Sequence, residues 1–245
     1  MAHAGFSNGV NFMGMDIAAN INKVEQRIAA AAAKSNRDPD SIKLLAVTKT
    51  VSPAAIVEAI DAGINTFGEN YVQEAKEKIA VLGQRAQWHM IGHLQTNKAK
   101  YAVTLFDCIH SVDRMDLARE LDKKATLTGH KMNILMEVNV SGEKTKNGIP
   151  AANAISLVKD ISRLENLSVQ GLMTMAPYSV DPEMARPYFA ALRNLRDEII
   201  RTEITGITMD ELSMGMTDDF EVAIEEGATI VRIGRAIFGE RKSRI

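Results

Sequence analysis

Lys49 is the residue whose position in the sequence most directly suggests covalent chemistry. It follows a short apolar run, residues 44–47 (LLAV), and a helix-start signal, residues 51–53 (VSP), comes directly after it. An apolar run of this length predicts a buried strand, so Lys49 is expected at the carboxyl end of a strand, at the mouth of a pocket. A lysine amine held there loses its proton more readily than a solvated one and can attack a carbonyl to form a Schiff base. The alternative is a strand-end lysine whose ammonium group reaches solvent.

Two loops late in the chain have the composition of a phosphate site. Residues 212–219 (LSMGMTDD) place hydroxyl groups and Gly215 between a strand and a helix, and residues 231–236 (VRIGRA) place Gly234 after the final strand. In α/β barrels the loops after strands seven and eight commonly bind phosphate through main-chain N–H groups. We therefore expect a phosphate near Ser213 and Gly234. Alternatively, both glycines only permit tight turns, and the two aspartates occupy the helix N-terminus themselves.

Strand-like and helix-like periods alternate with short connections along the rest of the chain. This alternation is typical of repeated βα units around a parallel sheet. Eight units without a linker favour α/β architecture closed into a single-domain (β/α)8 TIM barrel over an open sheet, and 245 residues is a usual length for such a barrel. The predicted strands are residues 44–49, 66–69, 87–91, 108–111, 133–140, 168–173, 211–213 and 230–233.

Helices are predicted between the strands and before the first of them. Apolar residues recur at helical spacing over residues 16–34, which predicts an extra N-terminal helix. Residues 1–14 lack such periodicity, so we expect a disordered N-terminal extension ahead of a barrel formed by residues 15–245. The other predicted helices are residues 53–62, 71–82, 95–103, 114–128, 151–161, 182–201 and 218–226.

Composition limits the class of partner. The chain has 29 basic and 31 acidic residues, a formal charge of -2 and 5% aromatic residues. Neither a nucleic-acid surface nor a polybasic membrane surface is indicated, so a small molecule is the expected partner. Cys108 is the single cysteine, and no stretch reads as a signal peptide or has membrane-spanning length. These features predict a cytoplasmic protein without an internal disulfide.

Six motifs occur in order along nearly the whole chain, from about residue 16 to residue 240. They are residues 45–49 (LAVTK), 67–74 (FGENYVQE), 88–98 (WHMIGHLQTNK), 171–173 (GLM), 212–216 (LSMGM) and 231–234 (VRIG). Together they resemble the YggS family of pyridoxal phosphate homeostasis proteins, whose barrel is like the N-terminal domain of alanine racemase. The resemblance implies pyridoxal 5'-phosphate held as a Schiff base on Lys49. It also implies a role in vitamin B6 homeostasis, supplying or buffering the cofactor, without established catalysis.

The resemblance further implies eight cofactor-binding residues. The phosphate is expected on the main chain of Gly234 and Arg235 and on Ser213, while Arg232 is expected to face the pyridine ring nitrogen. Arg235 stands where many relatives carry a small hydroxyl residue, so whether its side chain contacts the phosphate is left open. Asn70, Ser111 and Met214 match positions that line the family's pocket. The full set is Lys49, Asn70, Ser111, Ser213, Met214, Arg232, Gly234 and Arg235.

Arg232 bears on the kind of chemistry. A guanidinium keeps its proton at any accessible pH, so a ring nitrogen facing it accepts a hydrogen bond and stays unprotonated. The cofactor is then a weak electron sink, whereas an acidic residue there would favour carbanion chemistry. The alternative for Arg232 is a salt bridge at the barrel rim.

Two enzyme readings compete with a carrier. A racemase-like pyridoxal phosphate enzyme needs a second acid/base, which alanine racemase takes from a tyrosine of a separate domain and a partner subunit. Only a dozen residues follow Ile233, so we expect no such domain, and Tyr71, His89 and His93 are the remaining candidates. A class I aldolase would use Lys49 as the nucleophile but leaves the other motifs unexplained.

We therefore predict a monomeric carrier of pyridoxal phosphate, not an enzyme, with apo pyridoxal phosphate enzymes as potential acceptors. A metal site is not expected. His89 and His93 straddle a strand end and a glycine turn, a spacing that does not bring both rings to one face.

Overall fold

The structure, a computed structural model, describes residues 16–83, 85–143 and 145–240. The predicted disordered extension, residues 1–14, lies outside these ranges. Within them, no helix combines the length and the apolar character that crossing a membrane requires.

Eight parallel strands close into a barrel, as predicted. The strands of the described ranges are β1 (Lys43–Val47), β2 (Thr66–Glu69), β3 (Gln87–Met90), β4 (Cys108–Val112), β5 (Met132–Asn139), β6 (Ile149–Pro150), β7 (Leu167–Met173), β8 (Ile207–Ser213) and β9 (Ile230–Ile233). Around the barrel they follow the order β4-β3-β2-β1-β9-β8-β7-β5, and pairing of β4 with β5 closes the ring. The short strand β6 pairs with β5 beyond the ring.

Helices surround the barrel. They are α1 (Ile17–Lys34), α2 (Pro53–Asp61), α3 (Val72–Leu82), α4 (Ala99–Leu105), α5 (Met115–Ala125), α6 (Ala151–Ile161), α7 (Arg186–Arg201), α8 (Phe220–Glu225) and α9 (Arg235–Phe238). The predicted N-terminal helix is confirmed as α1, which Asp16 caps by accepting a hydrogen bond from Ala19 N at 2.8 Å. Its buried apolar face packs against α8 and α9, so α1 covers one side of the barrel near the end of the chain.

The largest error in the predicted strands concerns β8, which begins at Ile207 and not at residue 211. Met209 within this strand has a left-handed φ of 58°, and the strand pairs irregularly with β7. That irregularity interrupts the alternation from which a strand is recognised. Two elements, β6 and α9, were not predicted because two and four residues are too few to establish a period.

Side chains fill the barrel interior. One buried cluster is contributed by five strands and consists of Leu45, Val47, Cys108, Leu135, Met173 and Ile230. The packing leaves no room for a side chain at Gly68, where a Cβ atom would stand 2.3 Å from Leu45 Cδ2. The barrel interior is therefore a packed core, and in this fold ligands bind at the carboxyl ends of the strands.

Candidate functional site

A cavity of about 340 Å³ opens at the carboxyl end of the barrel. This volume is of the size that binds small organic ligands. Five of the eight predicted cofactor residues line it, and they come from the ends of β1, β2 and β9. These five are Lys49, Asn70, Arg232, Gly234 and Arg235.

Lys49 lies two residues beyond β1 and is half-buried in the cavity wall. The residues on both sides of it are held in place. Thr48 is fully buried, and its hydroxyl donates to Glu69 Oε1 at 2.7 Å. Thr50 has a left-handed φ of 66°, and its N–H donates to the carboxylate of Glu74. The backbone that carries the predicted nucleophile is therefore fixed by its neighbours in sequence.

A buried lysine of α3, which the sequence analysis did not identify, organises these contacts. Lys78 is 5% exposed, and its ammonium group donates to Thr48 O at 2.6 Å and to Glu69 Oε1 and Glu74 Oε1 at 2.7 Å each. All three donors of the ammonium group are therefore used. A sequence signal exists, because Lys78 interrupts the buried apolar stripe of α3 at a helical interval. Burial raises the pKa of Glu69, and the hydrogen bonds from Lys78 and Thr48 oppose that rise.

Arg232 lies against the floor of the cavity and is 4% exposed. Its Nη1 donates to Ser213 Oγ at 2.7 Å and its Nη2 donates to Thr174 O at 2.8 Å. Two anchors on different nitrogens fix the plane of the guanidinium. Burial lowers the pKa of Arg232 to about 10, so the side chain remains a cation and a hydrogen-bond donor at neutral pH.

Gly234 and Arg235 form the turn between β9 and α9. The first N–H groups of a helix have no acceptor within the helix, so this turn can offer main-chain donors to an anion. The Arg235 side chain points to other partners, since its Nη2 binds both carboxylate oxygens of Asp218 and its Nε lies 3.3 Å from Glu240 Oε1. The hydrogen bond with Asp218 raises the pKa of Arg235. At this turn the main chain, more than the guanidinium, is suited to bind a phosphate.

The other three predicted residues are not among those that line the cavity. Ser213 is fully buried and bonded to Arg232, as described above, and to His110 Nδ1 at 3.0 Å. Met214 packs in the hydrophobic core. Ser111 is fully buried, and its hydroxyl has no hydrogen-bond partner among the described residues. All three residues are fully buried, so direct contact with a bound molecule stays a prediction for them.

Thr217 is a polar residue of the same loop that the sequence did not single out. It is half-buried and lines the cavity, in the loop between β8 and α8. Gly215 allows this, because its φ is 91° and a Cβ atom would stand 2.6 Å from Ala223 Cβ. The glycine lets the loop turn back onto α8 and brings the second hydroxyl of the loop to the cavity. The predicted tight turn at Gly215 is thus present alongside a candidate polar contact.

The cavity mouth is lined in part by exposed side chains. Tyr178 is 81% exposed, Met175 38% and Met216 39%, and all three contribute to the wall. The site is therefore open to solvent on the side away from the barrel.

The polar groups of the cavity fit a small phosphorylated aldehyde. Lys49 offers an amine, the turn at Gly234 offers main-chain donors, and Arg232 offers a fixed cation. Asn70 Oδ1 is buried without a hydrogen-bond partner among the described residues, as expected where a bound molecule supplies the partner.

His93 is exposed whereas His89 is buried, so the two rings lie in different environments. His89, Cys108 and His110 instead lie together inside the barrel, with potential ligand atoms within 4.8 Å of one another. His89 Nδ1 and His110 Nε2 are 2.9 Å apart, a hydrogen-bond distance. Two nitrogens on one tetrahedral Zn²⁺ would be roughly 3.3 Å apart. Burial also raises the pKa of the Cys108 thiol, which disfavours the thiolate that binds metals.

Comparison with known proteins gives a consistent set of relatives. Residues 17–242 match the family model of the alanine racemase N-terminal domain. The pyridoxal phosphate homeostasis protein of Aquifex aeolicus is 46% identical over 229 residues, which cover 93% of this chain and all of that protein. The protein of the same name from Escherichia coli is 41% identical over 234 residues, covering 92% and 97% of the two chains.

Solved structures show the same similarity. PipY of Synechococcus elongatus, with pyridoxal phosphate bound, has a TM-score of 0.81 and 35% identity, covering 91% of this chain and all of that one. An alanine racemase of Clostridium difficile has a TM-score of 0.71 at 14% identity. The match covers 94% of this chain and 58% of the racemase chain. The latter likeness concerns the fold alone.

Proposed function

The chain belongs to the pyridoxal phosphate homeostasis proteins, which share the fold of the alanine racemase N-terminal domain, and we propose that it binds pyridoxal 5'-phosphate reversibly and supplies it to other proteins. The observation that carries the proposal is that Lys49, Arg232 and the turn at Gly234 line one cavity. When bound, pyridoxal phosphate contributes an aldehyde that condenses with amines. Apo enzymes that require the cofactor are the proposed acceptors.

Each residue of the cavity has a separate task in this proposal. The Lys49 amine provides the covalent attachment, and the contacts around Thr48 and Thr50 keep that amine at the cavity. Main-chain N–H groups at Gly234 and Arg235 bind the phosphate, and the hydroxyl of Thr217 lies along the same wall. The other predicted positions, Ser111, Ser213 and Met214, are fully buried, and Ser213 anchors the guanidinium of Arg232.

Arg232 supports storage over catalysis. Its guanidinium is a permanent donor held by Ser213 and Thr174, so a pyridine nitrogen placed against it accepts a hydrogen bond and stays unprotonated. An unprotonated ring withdraws electrons weakly, which disfavours removal of an α-proton from a bound amino acid.

The open mouth supports exchange over catalysis. Amines in solution can reach the cavity past Tyr178, and catalytic pyridoxal phosphate sites normally exclude water. Of the acid/base candidates for a racemase, Tyr71 is 64% exposed and His89 is buried below the floor. Neither these two nor His93 is among the described residues that line the cavity.

The test is a visible absorption spectrum, before and after borohydride, of protein that has been loaded with pyridoxal phosphate and separated from unbound cofactor by gel filtration. We expect a band that borohydride removes, with the cofactor mass then fixed to the peptide that contains Lys49. Lys49→Ala should abolish the band, while Lys159→Ala, a change of an exposed lysine on α6, should leave it unchanged. A wild-type protein that is colourless after loading and gel filtration would refute the proposal.

A further inference from the structure

A chain of hydrogen bonds runs through the barrel interior beneath the cavity. Arg232 Nη1 is 2.7 Å from Ser213 Oγ, which is 3.0 Å from His110 Nδ1, and His110 Nε2 is 2.9 Å from His89 Nδ1. All four side chains are at most 9% exposed. The chain joins β9, β8, β4 and β3 and connects the cavity floor to the middle of the barrel.

The permanent charge of Arg232 sets the direction of every hydrogen bond in this chain. A guanidinium only donates, so Ser213 Oγ accepts from Arg232, and among the described residues His110 Nδ1 is the remaining hydrogen-bond partner that can accept the serine proton. His110 therefore carries its proton on Nε2 and donates it to His89 Nδ1. It follows that His89 also carries its proton on Nε2.

This direction requires both imidazoles to be neutral. A doubly protonated His110 would donate from Nδ1 to a serine oxygen that already accepts from Arg232, and the serine proton would lose its acceptor. The surroundings favour neutrality, because burial lowers the pKa of His89 to about 4 and that of His110 well below its usual value. The charge of Arg232 also opposes a second cation at His110.

We propose that His110 is a positioning residue for Arg232, acting through the hydroxyl of Ser213, and that His89 fixes the tautomer of His110. The inference rests on the proposed function, in which Arg232 faces the ring nitrogen of the cofactor. The guanidinium plane is defined by two anchors, Thr174 O and Ser213 Oγ. The backbone anchor is rigid, whereas a serine hydroxyl rotates unless its proton has an acceptor. His110 supplies that acceptor.

The first test uses the wild-type protein without cofactor. Nitrogen-15 NMR of labelled histidine should show His89 and His110 as neutral rings protonated at Nε2 near pH 7. Protonation of His110 at Nδ1, or an imidazolium at either position, would overturn the proposal.

The second test compares two substitutions that differ in which half of the ring they imitate. The carboxamide of His110→Asn stands near the position of Nδ1 and retains the bond to Ser213. That of His110→Gln reaches toward Nε2 and loses this bond. We expect His110→Asn to bind pyridoxal phosphate with the wild-type absorption spectrum, and His110→Gln to shift the band and weaken binding about fivefold. Thermal unfolding checks that both variants fold.

The outcomes separate the two proposals. If both variants fold and show the same absorption spectrum and affinity as each other, whether like wild type or impaired, the role of His110 is overturned. A wild-type protein that does not bind pyridoxal phosphate would overturn the proposed function and that role with it, while the NMR measurement would still determine the direction of the hydrogen bonds.

Discussion

The ammonium nitrogen of Lys78 lies 2.6 Å from the carbonyl oxygen of Thr48, the residue before Lys49. Helix α3 contributes no described residue to the cavity wall, yet through this contact it holds the strand end on which the proposed covalent attachment depends. The same ammonium group neutralises the fully buried carboxylate of Glu69. Stability and the placement of Lys49 are thus coupled in one cluster.

Lys78→Met should destabilise the protein by about 3–5 kcal/mol, because it leaves the charge of Glu69 buried without its cationic partner. Urea unfolding measures the change. Lys159→Met, on an exposed face, should stay within about 0.5 kcal/mol of wild type. Adding Glu69→Gln to Lys78→Met should restore part of the loss, and a double variant that is no more stable than the single one would contradict the role given to Lys78.

Arg232→Gln should shift the absorption band of the bound cofactor and weaken its binding at least tenfold. The substitution removes the charge-assisted contact with the ring nitrogen and the two-point anchoring by Ser213 and Thr174. Spectrophotometric titration with pyridoxal phosphate measures both effects. Unchanged spectrum and affinity would mean that Arg232 does not face the cofactor.

Thr217→Val and Arg235→Ala test whether the loop hydroxyl or the Arg235 guanidinium contacts the phosphate. Thr217→Val keeps the shape and removes the hydroxyl, so we expect binding to weaken about fivefold. Arg235→Ala should leave affinity within about twofold, because the guanidinium is engaged by Asp218 and Glu240. The reverse order of effects would indicate that the Arg235 side chain, and not the loop hydroxyl, contacts the phosphate.

Glu137 should make the protein less stable as pH rises from 4.5 to 7. This carboxyl is 3% exposed, and burial, followed by the charge of Asp113, raises its pKa from 4.5 to about 7. In this window the unfolded chain releases the proton while the folded chain retains it, so stability present below pH 4.5 is lost by up to about 3 kcal/mol.

The unfolding free energy of Glu137→Gln, relative to that of wild type, should therefore be higher at pH 8 than at pH 4.5. Urea unfolding of both proteins at both pH values measures this difference. Taking this difference removes the opposite contribution of His89, which is common to both proteins. A difference that does not change with pH would show that Glu137 titrates normally.

The storage proposal predicts that amino acids withdraw the cofactor without being transformed. Deuterium should not enter the α-position of alanine or serine during long incubation with the loaded protein in heavy water, while the absorption band changes as amines are added. Many exchanges per protein molecule, abolished by Lys49→Ala, would identify an enzyme with an acid/base group other than Tyr71, His89 and His93.

Local patterns in the sequence were enough to predict the barrel. Apolar periodicity and turn residues indicated all eight strands of the ring, and β2 and β9 were predicted to the residue. The position of Lys49 at the mouth also followed from sequence, because a parallel barrel brings the carboxyl ends of its strands to one face. These inferences succeed because they depend on residues close together in the chain.

Contacts between distant residues were decided only by the tertiary structure. Ser213 was predicted from the sequence as a phosphate ligand and Thr217 of the same loop was not, yet the structure buries Ser213 and places Thr217 among the residues that line the cavity. Lys78 and His110 have partners 30 and 103 positions away. Closure of the barrel creates these contacts, because strands far apart in the chain then face one another across a packed interior.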